Sequence, residues 1–183
     1  MDVHDHLGKT RGHPVKALIT EEQLQQRIAE LGQQISRDYA GQEIVLLGVL
    51  KGSFLFMADL ARAINLPVTT EFLGLSSYSG GTESSGEVKV TLDLAHPIAD
   101  KHLLVVEDIV DTGLTLAYIL RMLSTRNPRS LKLCCLLDKP EGRKVQIEAD
   151  YVGFTIPKRF VVGYGLDYNE FYRNLPYIGV MDE

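Results

Sequence analysis

The sequence is poor in features that would identify several other classes of protein. Its 183 residues include no tryptophan and only two cysteines, Cys134 and Cys135, which are adjacent in the apolar run from Leu131 to Leu137. Adjacent cysteines rarely form a structural disulfide, and a buried thiol behaves as a small apolar group. We therefore expect a reducing compartment, the cytoplasm, and not a disulfide-stabilised secreted domain.

Long apolar runs and an excess of positive charge are also missing. No run approaches the roughly 20 residues that cross a bilayer, and the first residues lack the apolar core of a signal peptide, so we expect no membrane partner. The formal net charge is −5, and we expect no nucleic acid partner because no general field attracts one. A polyanionic ligand would need local lysines, arginines and magnesium.

Predicted strands and helices alternate along the chain. Composition and length predict one globular domain, residues 1–183, and Thr20-Glu21-Glu22-Gln23 is typical of a capping box that begins a helix. Such alternation predicts an α/β fold with a central parallel sheet flanked by helices. The predicted segments are a polar arm from Met1 to about Leu18, a helix ending near Gly41, a strand at Ile44–Leu50, a helix at Ser53–Ile64, strands at Pro67–Leu75, Val88–Leu94 and Leu103–Val110, a helix from Asp111 to about Thr125 and a strand at Leu131–Leu137.

The most informative stretch runs from Val105 to Leu116. A predicted strand carries Glu107 and Asp108 near its end, and Asp111-Thr112-Gly113-Leu114-Thr115 begins the next helix. Ligands bind at such turns in parallel sheets, and the N–H groups of a helix N-terminus suit a phosphate. Asp-Thr-Gly alone could be a simple helix cap. Three carboxylates at the end of a core strand, however, indicate a bound ligand.

This block resembles the phosphoribosyl-pyrophosphate (PRPP) signature of type I phosphoribosyltransferases: a strand, two acidic residues, two apolar residues and Asp-Thr-Gly-x-Thr. The variable position is Leu114, where some relatives have lysine. The resemblance implies that Glu107 and Asp108 bind the ribose hydroxyls, directly or through magnesium, and that Asp111 is the catalytic base. The residues implied to hold the 5′-phosphate are Thr112, Gly113, Leu114 and Thr115.

Two further segments match the hypoxanthine-guanine enzymes of that family. Lys51-Gly52 could be an ordinary turn, but Val49-Leu50-Lys51-Gly52 is similar to their pyrophosphate loop, in which the peptide before the lysine is often cis. The Gly- and Ser-rich segment 76–86 could be a surface hairpin. Its pair Ser77-Tyr78 resembles the start of the family's mobile lid, which excludes water.

The C-terminal third contains the residues that would select the base. Lys139 could be a solvated lysine before Pro140, and the aromatic stretch from Val152 to Tyr168 could be packing around a hairpin. Both segments resemble the hypoxanthine-guanine family. The resemblance implies that Lys139 contacts the 6-oxo group of a purine, that Phe160 stacks on the base and that Val161 reads it through backbone groups. It also implies that Asp167 is one of the purine-binding residues and binds a magnesium ion on the pyrophosphate. Arg173 is implied to hold pyrophosphate oxygens.

The resemblance as a whole implies the type I phosphoribosyltransferase fold, with a core of about residues 20–155 and a small hood formed by the N-terminal arm and about residues 156–183. It implies Mg²⁺-dependent transfer of phosphoribose from PRPP to hypoxanthine or guanine in purine salvage, giving IMP or GMP, by a homo-oligomer (a dimer or a tetramer). A PRPP-sensing nucleic-acid regulator is disfavoured by the net charge of −5. A phospho-accepting receiver domain would leave the stretch from Phe160 to Asp167 unexplained.

Overall fold

The computed structural model describes residues 13–77 and 88–181. Nine strands and three helices are found in this part of the chain, together with a single 3₁₀ turn at Pro140–Gly142. In chain order they are β1 (Val15–Ile19), α1 (Glu21–Asp38), β2 (Ile44–Leu50), α2 (Phe54–Ala63), β3 (Val68–Ser77), β4 (Val88–Leu92), β5 (His102–Val110), α3 (Leu114–Ser124), β6 (Ser130–Asp138), β7 (Tyr151–Thr155), β8 (Val161–Val162) and β9 (Ile178–Met181).

A six-stranded sheet forms the centre of the molecule, in the order β4-β3-β2-β5-β6-β7. Its strands run parallel except for β4, which pairs antiparallel with β3. The predicted α/β class is confirmed, but the sheet is not wholly parallel. A parallel neighbour needs a crossover connection of a dozen or more residues, usually a helix, and the sequence has no helical pattern between Leu75 and Val88.

Helices cover both faces of this sheet because its strands have apolar side chains on both sides. Helices α1 and α2 pack on one face with Leu46 and Val106, and α3 packs on the other with Leu47 and Val105. The two cysteines follow the same alternation: each is a buried free thiol, Cys134 in the first cluster and Cys135 in the second. None of the helices described is both long and apolar enough to span a membrane.

The first helix begins at the predicted capping box. The Gln23 N–H donates to Thr20 Oγ1 at 3.3 Å, and Thr20 N–H donates to Gln23 Oε1 at 2.8 Å. Farther along α1, the Arg27 guanidinium donates to the carbonyl oxygens of Val152 and Gly153. The helix is thereby fixed to the edge strand β7.

A second, three-stranded sheet joins the two ends of the chain in the order β1-β9-β8. The polar arm predicted up to Leu18 is therefore wrong from Val15 onward, where the chain pairs with Ile178–Met181. The hairpin considered for 152–168 is also absent, because β7 joins the central sheet and β8 the smaller one. The first difference results from a partner strand at the other end of the chain, and the second from β7 and β8 pairing with different sheets.

A close helix contact gives a test of this packing. A Cβ atom at Gly32 of α1 would lie 2.5 Å from the carbonyl oxygen of Ala63 and 2.6 Å from its Cβ. Alanine gains about 1 kcal/mol of helix propensity over glycine, but overpacking against backbone costs about 1–3 kcal/mol. We expect Gly32→Ala to lower the free energy of unfolding by about 1 kcal/mol in urea denaturation.

The exposed neighbour Gln33 provides the control, since Gln33→Ala should change stability by less than about 0.5 kcal/mol. A Gly32→Ala protein more stable than the parent would contradict the contact.

Candidate active site

Three adjacent parallel strands bring predicted site residues to one edge of the sheet. Strands β2, β5 and β6 end at Leu50, Val110 and Asp138, and their pairing aligns them in the same direction. Lys51, Asp111 and Lys139 follow these ends directly. The peptide bond between Leu50 and Lys51 is cis.

Asp111 and Lys139, predicted to act separately, form an ion pair. Lys139 Nζ lies 2.9 Å from Asp111 Oδ2, and the lysine side chain is only 10% exposed whereas that of Asp111 is 44% exposed. The carboxylate therefore compensates a nearly buried ammonium group and remains accessible to a ligand. The 3₁₀ turn lies against the same carboxylate, since a Cβ at Gly142 would overlap Asp111 Oδ1.

The Asp-Thr-Gly-x-Thr segment leads into the N-terminus of α3. Gly113 is the N-cap, with φ of 78°, and the first turn of the helix contains no acidic residue. The Leu114 N–H has only a long contact of 3.4 Å with Thr112 Oγ1, and Thr115 is exposed. The helix dipole and its N–H groups therefore face outward without a competing carboxylate in the first turn, an arrangement that suits a phosphate.

The 142–147 loop packs against this turn. The sequence had not indicated that the loop belongs to the site. The Lys144 N–H donates to the Thr112 carbonyl at 2.9 Å. A Cβ at Gly113 would lie 2.7 Å from Ile147 Cγ2 and 3.3 Å from Arg143 Cδ. Glycine is thus required here both by positive φ and by space. The local sequence signal that could have indicated this loop is Pro140-Glu141-Gly142, which is typical of a turn.

Glu107 and Asp108 have surroundings that disfavour their charges. Burial raises the pKa of Asp108 to about 6, and burial, followed by the effect of Asp108, raises the pKa of Glu107 well above its usual range. Within residues 13–77 and 88–181, Glu107 Oε2 is inaccessible and has no hydrogen-bond partner. The Asp108 carboxylate touches Gly52, where a Cβ atom would overlap Oδ2.

The chemistry of these two carboxyl groups fits a magnesium ion. The described residues contain no group of three or more His, Cys, Asp or Glu side chains that could hold a metal alone. Mg²⁺ is usually held by one or two carboxylates together with water and substrate oxygens. The unpartnered Glu107 oxygen and the neighbouring Asp108 carboxyl are donors of that kind.

Lys51, Asp167 and Arg173 meet around a residue that the sequence analysis missed, Glu170. Its Oε2 lies 2.8 Å from Lys51 Nζ, and its Oε1 lies 3.4 Å from Arg173 Nη2. Arg173 Nη2 also lies 3.0 Å from Asp167 Oδ1, and Nη1 donates to the Gly165 carbonyl at 2.7 Å. A carboxylate thus bridges the two cations predicted to bind an anion, and no local pattern in the sequence indicated it.

The remaining predicted residues are less closely connected to this cluster. Phe160 is 55% exposed, and its ring meets that of Tyr168 edge-on, with centroids 5.8 Å apart. Val161 is buried in β8. The described contacts do not join Phe160 to Lys139 or Asp111. Ser77 ends β3, and Tyr78 with the rest of the predicted lid lies outside the described residues.

Comparisons with known proteins agree on one family. A family model for the phosphoribosyl transferase domain matches residues 15–169. The chain is 53% identical to the hypoxanthine-guanine phosphoribosyltransferase of Mycobacterium avium over 171 residues, which cover 90% of this chain and 84% of the relative. It is 51% identical to the enzyme of the same name from Streptococcus pneumoniae, covering 92% and 93% of the two chains.

A solved structure, that of a hypoxanthine phosphoribosyltransferase from Staphylococcus aureus, superposes with a TM-score of 0.88 at 51% identity and covers 91% of each chain. Sequence and structural similarity therefore extend over about nine-tenths of the chain. The chain belongs to the phosphoribosyl transferase domain family and, within that family, to the hypoxanthine-guanine phosphoribosyltransferases.

Proposed function

We propose that this protein transfers the 5-phosphoribosyl group of PRPP to N9 of hypoxanthine or guanine, giving IMP or GMP and pyrophosphate in purine salvage. The observation that carries this proposal is the Asp111–Lys139 ion pair beside the outward-facing N-terminus of α3. In this proposal, Asp111 is the proton acceptor, Lys139 is the ammonium group that contacts the purine, and the N-terminus of α3 binds the 5′-phosphate.

In the proposed reaction the bond between ribose C1 and pyrophosphate breaks while the bond between C1 and N9 forms. Asp111 accepts the proton that the purine loses, at N7. Lys139 has three N–H donors, so it can keep its contact with Asp111 and donate to the purine 6-oxo group. Phe160 stacks on the base, and the backbone at Val161 reads it.

The leaving pyrophosphate requires cations. Lys51, the Gly52 N–H and Arg173 would bind it, and we infer that it displaces the Glu170 carboxylate that bridges these cations. Magnesium held by Glu107, Asp108 and Asp167 would supply further neutralisation when bound. Glu107 and Asp108 would bind the ribose hydroxyls, and Thr112–Thr115 would bind the 5′-phosphate.

Other parts of the proposal concern the smaller sheet, the lid, the oligomeric state and the location of the protein. The sheet of β1, β9 and β8 would form the hood over residues of the core, within a single domain, and Ser77-Tyr78 would begin the lid. We further propose a homo-oligomer, a dimer or a tetramer, located in the cytoplasm; the buried free thiols of Cys134 and Cys135 support the cytoplasmic location.

The role of Asp111 is tested by Asp111→Asn. The amide cannot accept the purine proton as a carboxylate does, so turnover should fall by about two to four orders of magnitude, while PRPP affinity changes little. Steady-state kinetics and PRPP titration calorimetry measure the two effects. Glu141→Gln, an exposed acid in the neighbouring turn, is the control, and near-normal turnover in Asp111→Asn would remove Asp111 from the base role.

The role of Lys139 predicts a difference between the two substrates. Hydrogen bonds to charged groups contribute about 1.5–3 kcal/mol, so Lys139→Ala should raise the purine KM by about tenfold or more. The PRPP KM should stay within about twofold, because Lys139 is proposed to contact only the base. Lys144→Ala, at an exposed lysine of the same loop, serves as the control. Equal effects of Lys139→Ala on both substrates would contradict the placement.

The surroundings of Asp108 predict how stability depends on pH. Because burial raises its pKa to about 6, the folded protein binds this proton more tightly than the unfolded chain does. The free energy of unfolding should therefore fall as pH rises from about 4 through about 6. In EDTA, Asp108→Asn should reduce that slope, to which the raised pKa of Glu107 also contributes, and should raise stability at pH 8 by about 1–2 kcal/mol, while PRPP affinity falls.

The control for this series is Asp100→Asn, at an exposed position before β5, which should leave the slope unchanged. If Asp108→Asn is less stable than the parent at pH 8, the carboxylate stabilises the ligand-free fold, contrary to the prediction.

A further inference from the structure

Tyr164 has an unusual backbone conformation in the loop that carries Asp167 and Arg173. Its φ is 49°, and the flanking residues Gly163 and Gly165 both have φ of 99°. A bulky residue with positive φ is uncommon, and the left-handed region costs roughly 1–2 kcal/mol. The conformation turns the Tyr164 side chain away from the loop and into the protein interior, where it is 5% exposed.

The Tyr164 hydroxyl donates a hydrogen bond to Asp59 Oδ2 in α2. Asp59 Oδ1 pairs with Arg62 one turn later, and the Asp59 side chain is 17% exposed. Burial and this hydrogen bond raise the pKa of Tyr164, so the hydroxyl is a neutral donor in the physiological range. Helix α2 begins at Phe54, two residues after the Lys51-Gly52 turn.

The same loop touches that turn directly. A Cβ at Gly165 would overlap the Gly52 carbonyl oxygen, so the two glycine backbones lie in contact. The Gly165 N–H donates to the Arg173 carbonyl at 2.9 Å, and the Gly165 carbonyl accepts from Arg173 Nη1 at 2.7 Å. Gly165 therefore lies between the Lys51-Gly52 turn and Arg173, and Tyr164 is its immediate neighbour.

We infer that Tyr164 and Asp59 are positioning residues for pyrophosphate recognition. The hydroxyl–carboxylate hydrogen bond holds the Gly163–Leu166 loop against Gly52, and this contact fixes Lys51 and Arg173 at the spacing that a diphosphate requires. Neither Tyr164 nor Asp59 touches the ligand. The inference rests on the proposed assignment of pyrophosphate to Lys51, Gly52 and Arg173.

Tyr164→Phe tests the inference, because it keeps the buried ring and removes only the hydroxyl. It should raise the PRPP KM and the inhibition constant of pyrophosphate by about five- to tenfold. The purine KM and kcat should stay within about twofold, because the base and Asp111 lie on other strand ends.

Tyr151→Phe is a matched control, since Tyr151 is buried and its hydroxyl donates to Asp38 Oδ2 at 2.8 Å. This bond joins the end of α1 to the start of β7. The start of β7 lies at the amino ends of the parallel strands, whereas the site lies at their carboxyl ends. It should lower stability comparably and leave all kinetic constants unchanged. If Tyr164→Phe lowers the stability but leaves every kinetic constant unchanged, as expected for Tyr151→Phe, the hydrogen bond has only a structural role and the inference is overturned.

Two substitutions at Asp59 separate the hydrogen bond from the tyrosine itself. Asp59→Asn keeps an acceptor oxygen for the hydroxyl and should change the PRPP and pyrophosphate constants by less than about twofold. Asp59→Leu, of similar size and without an acceptor, should reproduce the effect of Tyr164→Phe. Equal behaviour of the Asn and Leu variants would contradict the tether, and the pair gives a result even if Tyr164→Phe folds poorly.

Lys51→Ala distinguishes failure of this inference from failure of the proposed function. If Lys51→Ala does not weaken pyrophosphate inhibition, the pyrophosphate assignment is wrong and the positioning role falls with it. If Lys51→Ala weakens inhibition while Tyr164→Phe matches Tyr151→Phe, only the positioning role is overturned.

Discussion

The Asp108 carboxyl group lies against the backbone of Gly52, and much of the site depends on this contact. No side chain fits at position 52, because its Cβ would overlap the carboxylate. The Gly52 carbonyl in turn contacts Gly165, where a Cβ is excluded for the same reason, and Gly165 is hydrogen-bonded to Arg173 on both its N–H and its carbonyl. Asp108, on the central strand β5, is thereby connected through Gly52 and Gly165 to Arg173 in the C-terminal loop.

The ligand-free site balances its charges internally, and its ion pairs differ in how readily they can be exchanged. The Lys51 and Glu170 side chains are 66% and 64% exposed, so their pair contributes little stability, and the diphosphate of the proposed reaction would replace Glu170 at small cost. Lys139 is 10% exposed, so its ammonium group needs a permanent partner. In the proposed reaction Asp111 takes up the purine proton, and its carboxyl group can still accept a hydrogen bond from Lys139, which keeps the ammonium group oriented.

The sequence predicted those features that depend on neighbouring residues. The capping box at Thr20, the strand carrying Glu107 and the turn at Gly113 are local patterns, and each is found in the structure. Contacts between distant residues were not predicted. Lys51 meets Glu170 across 119 residues, and Tyr164 meets Asp59 across 105. Strand β1 was missed for the same reason, since its partner β9 is the last strand of the chain. Family resemblance indicated Lys51 and Arg173 but not the carboxylate between them.

Backbone strain in the described part of the chain is concentrated in the C-terminal loop that contacts the Lys51-Gly52 turn. Of six non-glycine residues with positive φ in the described part of the chain, four lie between Tyr164 and Tyr172. Such residues persist only where surrounding contacts fix them, and they cluster at functional sites. Here the ring of Tyr164 is buried, and the Asp167 carboxylate accepts the Glu170 N–H at 2.8 Å. The strained loop brings Glu170 to Lys51 and brings Arg173 to both Asp167 and Glu170, so the two cations proposed to bind a diphosphate share one carboxylate in the ligand-free protein.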